Sequence, residues 1–174
     1  ETLFKDNADT IVKYASEAYK TAGISANDYM QNVTSFSASL LQGLGGDTAQ
    51  AAEIANEAMI DMSDNANKFG TDISSIQNAY QGFAKQNYTM LDNLKLGYGG
   101  TAAEMARLIN DSGVLGDSIK VDEKTVNSVS FDKMIEAIHK VQTDLDITGT
   151  TSKEAATTVS GSLGSVKAAW ANLM

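Results

Sequence analysis

Apolar residues along this chain recur at intervals of three and four, the spacing that collects them on one side of an α-helix. Alternation at a period of two, the mark of a half-buried strand, is weak almost everywhere. Seven segments carry the helical pattern. The first, Asp6 to Thr21, sets Ile11, Val12, Ala15, Ala18 and Tyr19 on one side, with Gly23 just past its end. Ser25 caps a second, with Asp28 at the third position and a stripe of Tyr29, Val33, Phe36, Leu40 and Leu41. Gly43, Gly45 and Gly46 interrupt it, and Asp47 with Gln50 opens a third. There, Ala51, Ala55, Ala58, Met59, Met62, Ala66 and Phe69 form one side. Glu53, Glu57, Asp61 and Asp64 form another, which reads as a solvent-facing acidic stripe.

Gly70 ends that helix, and Thr71 or Asp72 starts a fourth through Ile73, Ile76, Tyr80, Phe83 and Ala84. A short helical turn is expected from Thr89 to Lys95. A fifth helix runs from Thr101 to about Asp111 with Met105, Leu108 and Ile109 inward. Ser130 caps a sixth, with Phe131, Met134, Ile135, Ile138, Val141 and Leu145 inward. Thr151 with Glu154 opens a seventh that reaches Trp170 and Leu173. Between the fifth and sixth lies the least helical stretch, polar and β-branched (Ile119, Val121, Val126, Val129).

The expected fold is therefore all-α, a bundle of about seven helices with glycine-rich interhelical turns. A boundary within it divides an N-terminal lobe, 1–115, from a C-terminal lobe, 131–174, that stops inside a helix. The connector, 116–130, suits either a small hairpin or an irregular segment. A chain that begins at Glu1 and ends at Met174 within a helix is expected to be a piece of a longer protein.

Composition sharpens this picture. At typical usage, 174 residues would carry about nine prolines. There are none, so helices run without forced stops and the 14 glycines provide the punctuation. Without cysteine there are no disulfides or thiolate metal sites. A net charge of −9 argues against a nucleic-acid face, which needs a basic patch to release counterions. No apolar run approaches the roughly 20 residues of a membrane span.

The candidate chemistry is thin. Glu136 and His139 form an E-x-x-H pair, but His139 is the only histidine, and a ferritin-type carboxylate site needs two such pairs. Asp144, Asp146, Thr148 and Gly149 imitate the first half of a calcium loop, yet Ala155 stands where the bidentate glutamate belongs. Neither glycine cluster ends in the Gly-Lys-Ser/Thr of a phosphate loop, and no Gly-x-Ser-x-Gly turn occurs. No catalytic, cofactor or metal residue is assigned. Tyr88, Tyr98 and Trp170 are the candidate partner contacts, since large aromatic side chains are favoured at interfaces.

Two long phrases add what spacing alone does not. From Ala58 the chain reads AMIDMSDNANKFGTDISSIQNAYQGFAKQNYTMLDNLKLGYGGT, and from Ser130 it reads SFDKMIEAIHKVQTDLDITGTTSKEAATTVSGSLGSVKAAWANLM. Both closely resemble the globular segment of tail tape measure proteins of long-tailed bacteriophages and prophages. The pattern departs at Asp146, where similar proteins tend to have Gly. The resemblance implies a non-enzymatic structural module acting in tail-length determination, tail assembly and DNA delivery. It would reside in the virion tail interior, and in the host bacterial cytoplasm during assembly. The implied partners are the tail tube protein and tail assembly chaperones, with self-association also open. The competing classes are a helical adaptor or secreted helical interaction protein, and a helical enzyme or metal protein.

Overall fold

The computed structural model describes residues 7–149, without the side chains of Tyr19 and Thr21. Within them the chain is all-α. Six α-helices follow one another: α1 (Ala8–Ala22), α2 (Ala26–Gly43), α3 (Thr48–Phe69), α4 (Ile73–Ala84), α5 (Ala102–Ser112) and α6 (Phe131–Asp144). The seventh expected helix, with Trp170, lies outside the described residues.

Local chemistry explains where the helices begin. Each needs acceptors for its first free N–H groups. Ser25 accepts from Asp28 N at 3.2 Å, Asp47 from Gln50 N at 3.1 Å, Asp72 from Ser74 N at 2.9 Å and Thr101 from Glu104 N at 3.2 Å. Gly70 and Gly113 end α3 and α5 with left-handed φ of 66° and 75°, a conformation that costs glycine little. The expected turn near Thr89–Lys95 is a 3-10 turn over Leu91–Leu94, closed by Lys95 at φ 54°.

The central element is α3, which touches α1, α2, α4 and α6. Alanines let neighbours come close to it: Ala51, Ala52, Ala55 and Ala58 are fully buried, as is Ala18 of α1. Bulk comes from Tyr29, Phe36, Leu40, Met59, Met62, Ile76, Tyr80, Phe83, Met105 and Leu108, all at or below 1% exposure. A fully buried side chain of this size contributes about 1.5–3 kcal/mol. Phe36 and Phe131 meet edge to face at 5.7 Å, joining α2 to α6. Two residues expected on inward stripes are exposed instead, Val12 at 44% and Leu145 at 50%. Leu145 falls just past the end of α6, where Asp146 turns the chain away at φ 61°.

The stretch 116–130 contains no strand. It is a series of turns with a 3-10 turn over Val126–Ser128. Asn110 of α5 stands in for a strand partner: its Nδ2 donates to Val121 O at 2.8 Å and its Oδ1 accepts from Val121 N at 2.9 Å. Val126 is fully buried beneath it.

Candidate functional site

Charged groups gather where α3 meets α6. Glu57 and Asp61 are one turn apart on α3, and α6 places His139 against them. His139 Nδ1 lies 3.0 Å from each carboxylate oxygen of Asp61 and 3.8 Å from Glu57 Oε1. The Asp61 side chain is 1% exposed, while those of His139 and Glu57 are 34% and 38% exposed. An open groove lined by Asn56, Glu57, Ile60, Asp61, His139 and Thr148 leads to the pair from solvent.

Deeper in, amide side chains complete the seam. Gln142 Nε2 donates to the backbone carbonyl of Asp61 at 3.1 Å. Asn65 Nδ2 donates to Gln142 Oε1 and to Leu94 O, both at 2.8 Å. Asp64 Oδ2 accepts from Gly149 N at 2.8 Å, and Ser63 Oγ donates to Ala22 O. Buried polar groups are retained in a core when they are bonded in this way.

Burial and pairing oppose each other in the electrostatics. Desolvation pushes the Asp61 carboxyl up to about 6, although the hydrogen bond and charge of His139 pull it down. Asp61 holds the His139 imidazolium up to about 8, chiefly through that hydrogen bond. Near neutral pH the pair is therefore an ion pair. Burial also raises the Glu57 carboxyl. Tyr80, on α4, has a fully buried hydroxyl with no hydrogen-bond partner, and burial with the charges of Asp61 and Glu57 raises it further.

This arrangement corrects the acidic stripe expected of α3. Asp61 and Asp64 are fully buried; only Glu53 is exposed and Glu57 half-buried. The periodicity of α3 shows its apolar side but not a second packing surface supplied by α6, where His139 lies 78 positions after Asp61. Glu136, the sequence partner of His139, instead pairs with Lys133 at 3.2 Å. Asp144 of the calcium-like run is held by Lys140 at 2.8 Å.

The candidate contact tyrosines lie elsewhere. Tyr88 is 5% exposed, with its ring 6.4 Å from Phe83, and its hydroxyl donates to Asn127 Oδ1 at 2.7 Å. Tyr98 is half-buried beneath the Arg107 guanidinium, 4.1 Å above its ring, and donates to Asp111 Oδ2 at 2.6 Å. Trp170 lies outside the described residues. Neither tyrosine joins the Asp61–His139 seam.

Among the described residues no helix is long and apolar enough to cross a membrane. Comparison with protein-family models, with curated proteins and with solved structures returns no significant match.

Proposed function

We propose that this chain is a non-enzymatic structural module of a bacteriophage tail tape measure protein, acting in tail assembly, length determination and DNA delivery. One observation carries the reading. The two phrases that resemble such proteins, from Ala58 and from Ser130, pack against each other through the Asp61–His139 and Asn65–Gln142 contacts. They belong to one buried seam and serve the same core. In this reading the full bundle has about seven helices joined by glycine-rich turns, and it interrupts longer rod-like stretches of the parent protein.

Length separates a folded module from a stretch of ruler. As one continuous helix, 174 residues would rise roughly 260 Å. The longest helix among the described residues, α3, has 22 residues and rises only about 33 Å. A net charge of −9 suits a module that shares a channel with DNA without adhering to it. The partners in this reading are the tail tube protein and the assembly chaperones, and of the two described candidate tyrosines it is Tyr98, with Arg107, that is accessible to them.

In-frame deletion of residues 1–174 from the parent phage, followed by electron microscopy of tails, tests this. The expected result is loss of infectivity with tails shortened by much less than 260 Å. Shortening by the full length would make the segment part of the ruler. Normal, infectious particles would remove the assignment.

A further inference from the structure

A cluster on α3 and α6 has the composition and spacing of a metal site. Glu57, Asp61 and His139 each offer one donor atom, and the three atoms lie within 4.8 Å of one another. A tetrahedral ion with bonds of about 2.0–2.1 Å holds its ligand atoms about 3.3 Å apart. The His139 Nδ1 separations of 3.0 Å to Asp61 and 3.8 Å to Glu57 bracket that value. Asp61 is buried on α3, and His139 reaches it from α6 through the contact at 3.0 Å. Glu57 is the residue that has to close in, and it is half-exposed on its own turn of α3.

Charge points the same way. Among the described residues neither Glu57 nor Asp61 is paired with a lysine or arginine; their one cationic neighbour is His139. Asp64 adds a third carboxylate whose charge is felt at His139, and Glu136 a fourth felt at Glu57. The fully buried Tyr80 hydroxyl, without a partner, lies in the same negative field. A carboxylate as buried as Asp61 is costly unless positive charge compensates it. One imidazolium offsets one of these carboxylates, and a divalent ion offsets two.

We propose that Glu57, Asp61 and His139 form a site for a zinc-type divalent transition metal that ties α3 to α6. The imidazole ligand sets the class, because magnesium and calcium take oxygen ligands. Three protein ligands leave a fourth position facing the groove beside Asn56 and Thr148, open to water. The proposal is independent of the tail reading and stands or falls without it.

The test is calorimetric titration of zinc chloride into the metal-stripped full chain, repeated with Glu57→Gln and His139→Gln. The expected result is one equivalent bound by the native chain, at least about tenfold weaker binding in Glu57→Gln, and none in His139→Gln. Cobalt(II) should give a visible absorption band in the native chain that His139→Gln lacks. Magnesium at the same concentrations should give no heat. The metal-free melting temperature of Glu57→Gln, a half-exposed position, should match the native chain, so its weaker binding reports a lost ligand and not a lost fold. Absence of saturable one-equivalent binding would overturn the proposal. So would equal affinity in all three proteins, the signature of an adventitious ion only.

Discussion

His139 Nδ1 stands 3.0 Å from both oxygens of Asp61, a residue 78 positions earlier in the chain. This contact joins the central helix to the last described one, and it does so in a core built mostly from aliphatic, methionine and aromatic side chains. A hydrophobic interface between α3 and α6 would fix that they pack. The ion pair, with Asn65 and Gln142 beneath it, also fixes their register, since a slip of one residue strands a buried carboxylate.

Removing the imidazole should therefore cost more than its own packing. His139→Ala leaves Asp61 buried without its partner. Breaking a fully buried pair costs about 3–5 kcal/mol, and the one-third exposure of His139 lowers this to about 2 kcal/mol. Urea denaturation at pH 7 with chelator present measures it. A double-mutant cycle with Asp61→Asn should return a coupling energy of at least about 1 kcal/mol, and strictly additive losses would refute the link.

The same pair makes the metal-free protein less stable as pH rises. Both groups have raised folded values, His139 to about 8 and Asp61 to about 6, so the folded state holds protons that the unfolded state releases. The Asp61 contribution is complete below its ordinary value near 3.8 and fades through about 6. That of His139 is complete below 6.5 and fades through about 8. Unfolding free energies from denaturant titrations should be about 1 kcal/mol or more lower at pH 9 than at pH 5.5 after allowance for solvent screening of the imidazole. Asp61→Asn should flatten the profile. A midpoint that climbs with pH over this range would contradict the assignment.

Asp146 offers a prediction of opposite sign. It follows α6 at φ 61°, and Ile147 N closes the helix end by donating to Gln142 O at 2.9 Å. A left-handed residue strains any side chain, less so Asp than a β-branched residue, and Gly least. Asp146→Gly should stabilise the fold by about 0.5–1 kcal/mol, raising the melting temperature by about 1–3 °C. Asp146→Val should lower it. The order Gly, Asp, Val is what thermal melts must reproduce.

These features differ in how far the sequence reveals them. Ser25, Asp47, Asp72 and Thr101 cap helices in the structure as their side-chain chemistry requires, because capping is local and depends on three or four adjacent residues. The burial of Asp64 is not local. It sits two residues past Met62, about 200° around the helix, and the turn at Gly149, 85 positions later, meets it there through a backbone N–H. His139 likewise shows a neighbour at Glu136 in sequence, whereas its structural partners lie on another helix. A charged residue beside methionines and alanines reads as surface until a second helix covers it.

Two adjacent glycines should behave differently. A Cβ at Gly100 would meet the backbone oxygen of Thr89 at 2.3 Å, and backbone cannot rotate aside. At Gly99 it would meet Glu104 at 3.6 Å, an ordinary contact. Gly100→Ala should destabilise the fold by about 2 kcal/mol or more through forced backbone movement, while Gly99→Ala should stay within about 0.5 kcal/mol. Equal melting temperatures for the two variants would mean that the turn before α5 is not built as described.

Asn110 is the last residue whose role follows from geometry alone. Its amide makes both hydrogen bonds to Val121 that a neighbouring strand would make, at 2.8 and 2.9 Å. Asn110→Ala leaves the Val121 N–H and carbonyl without these partners, although water can reach a half-buried site. The global cost should be modest, about 1–2 kcal/mol, but the local one is concentrated in 116–130. Limited trypsin digestion should then cut after Lys120 or Lys124 several-fold faster than in the native chain, while helix content by circular dichroism stays unchanged. Cleavage at the native rate would show that the buried Val126, and not Asn110, holds this stretch in place.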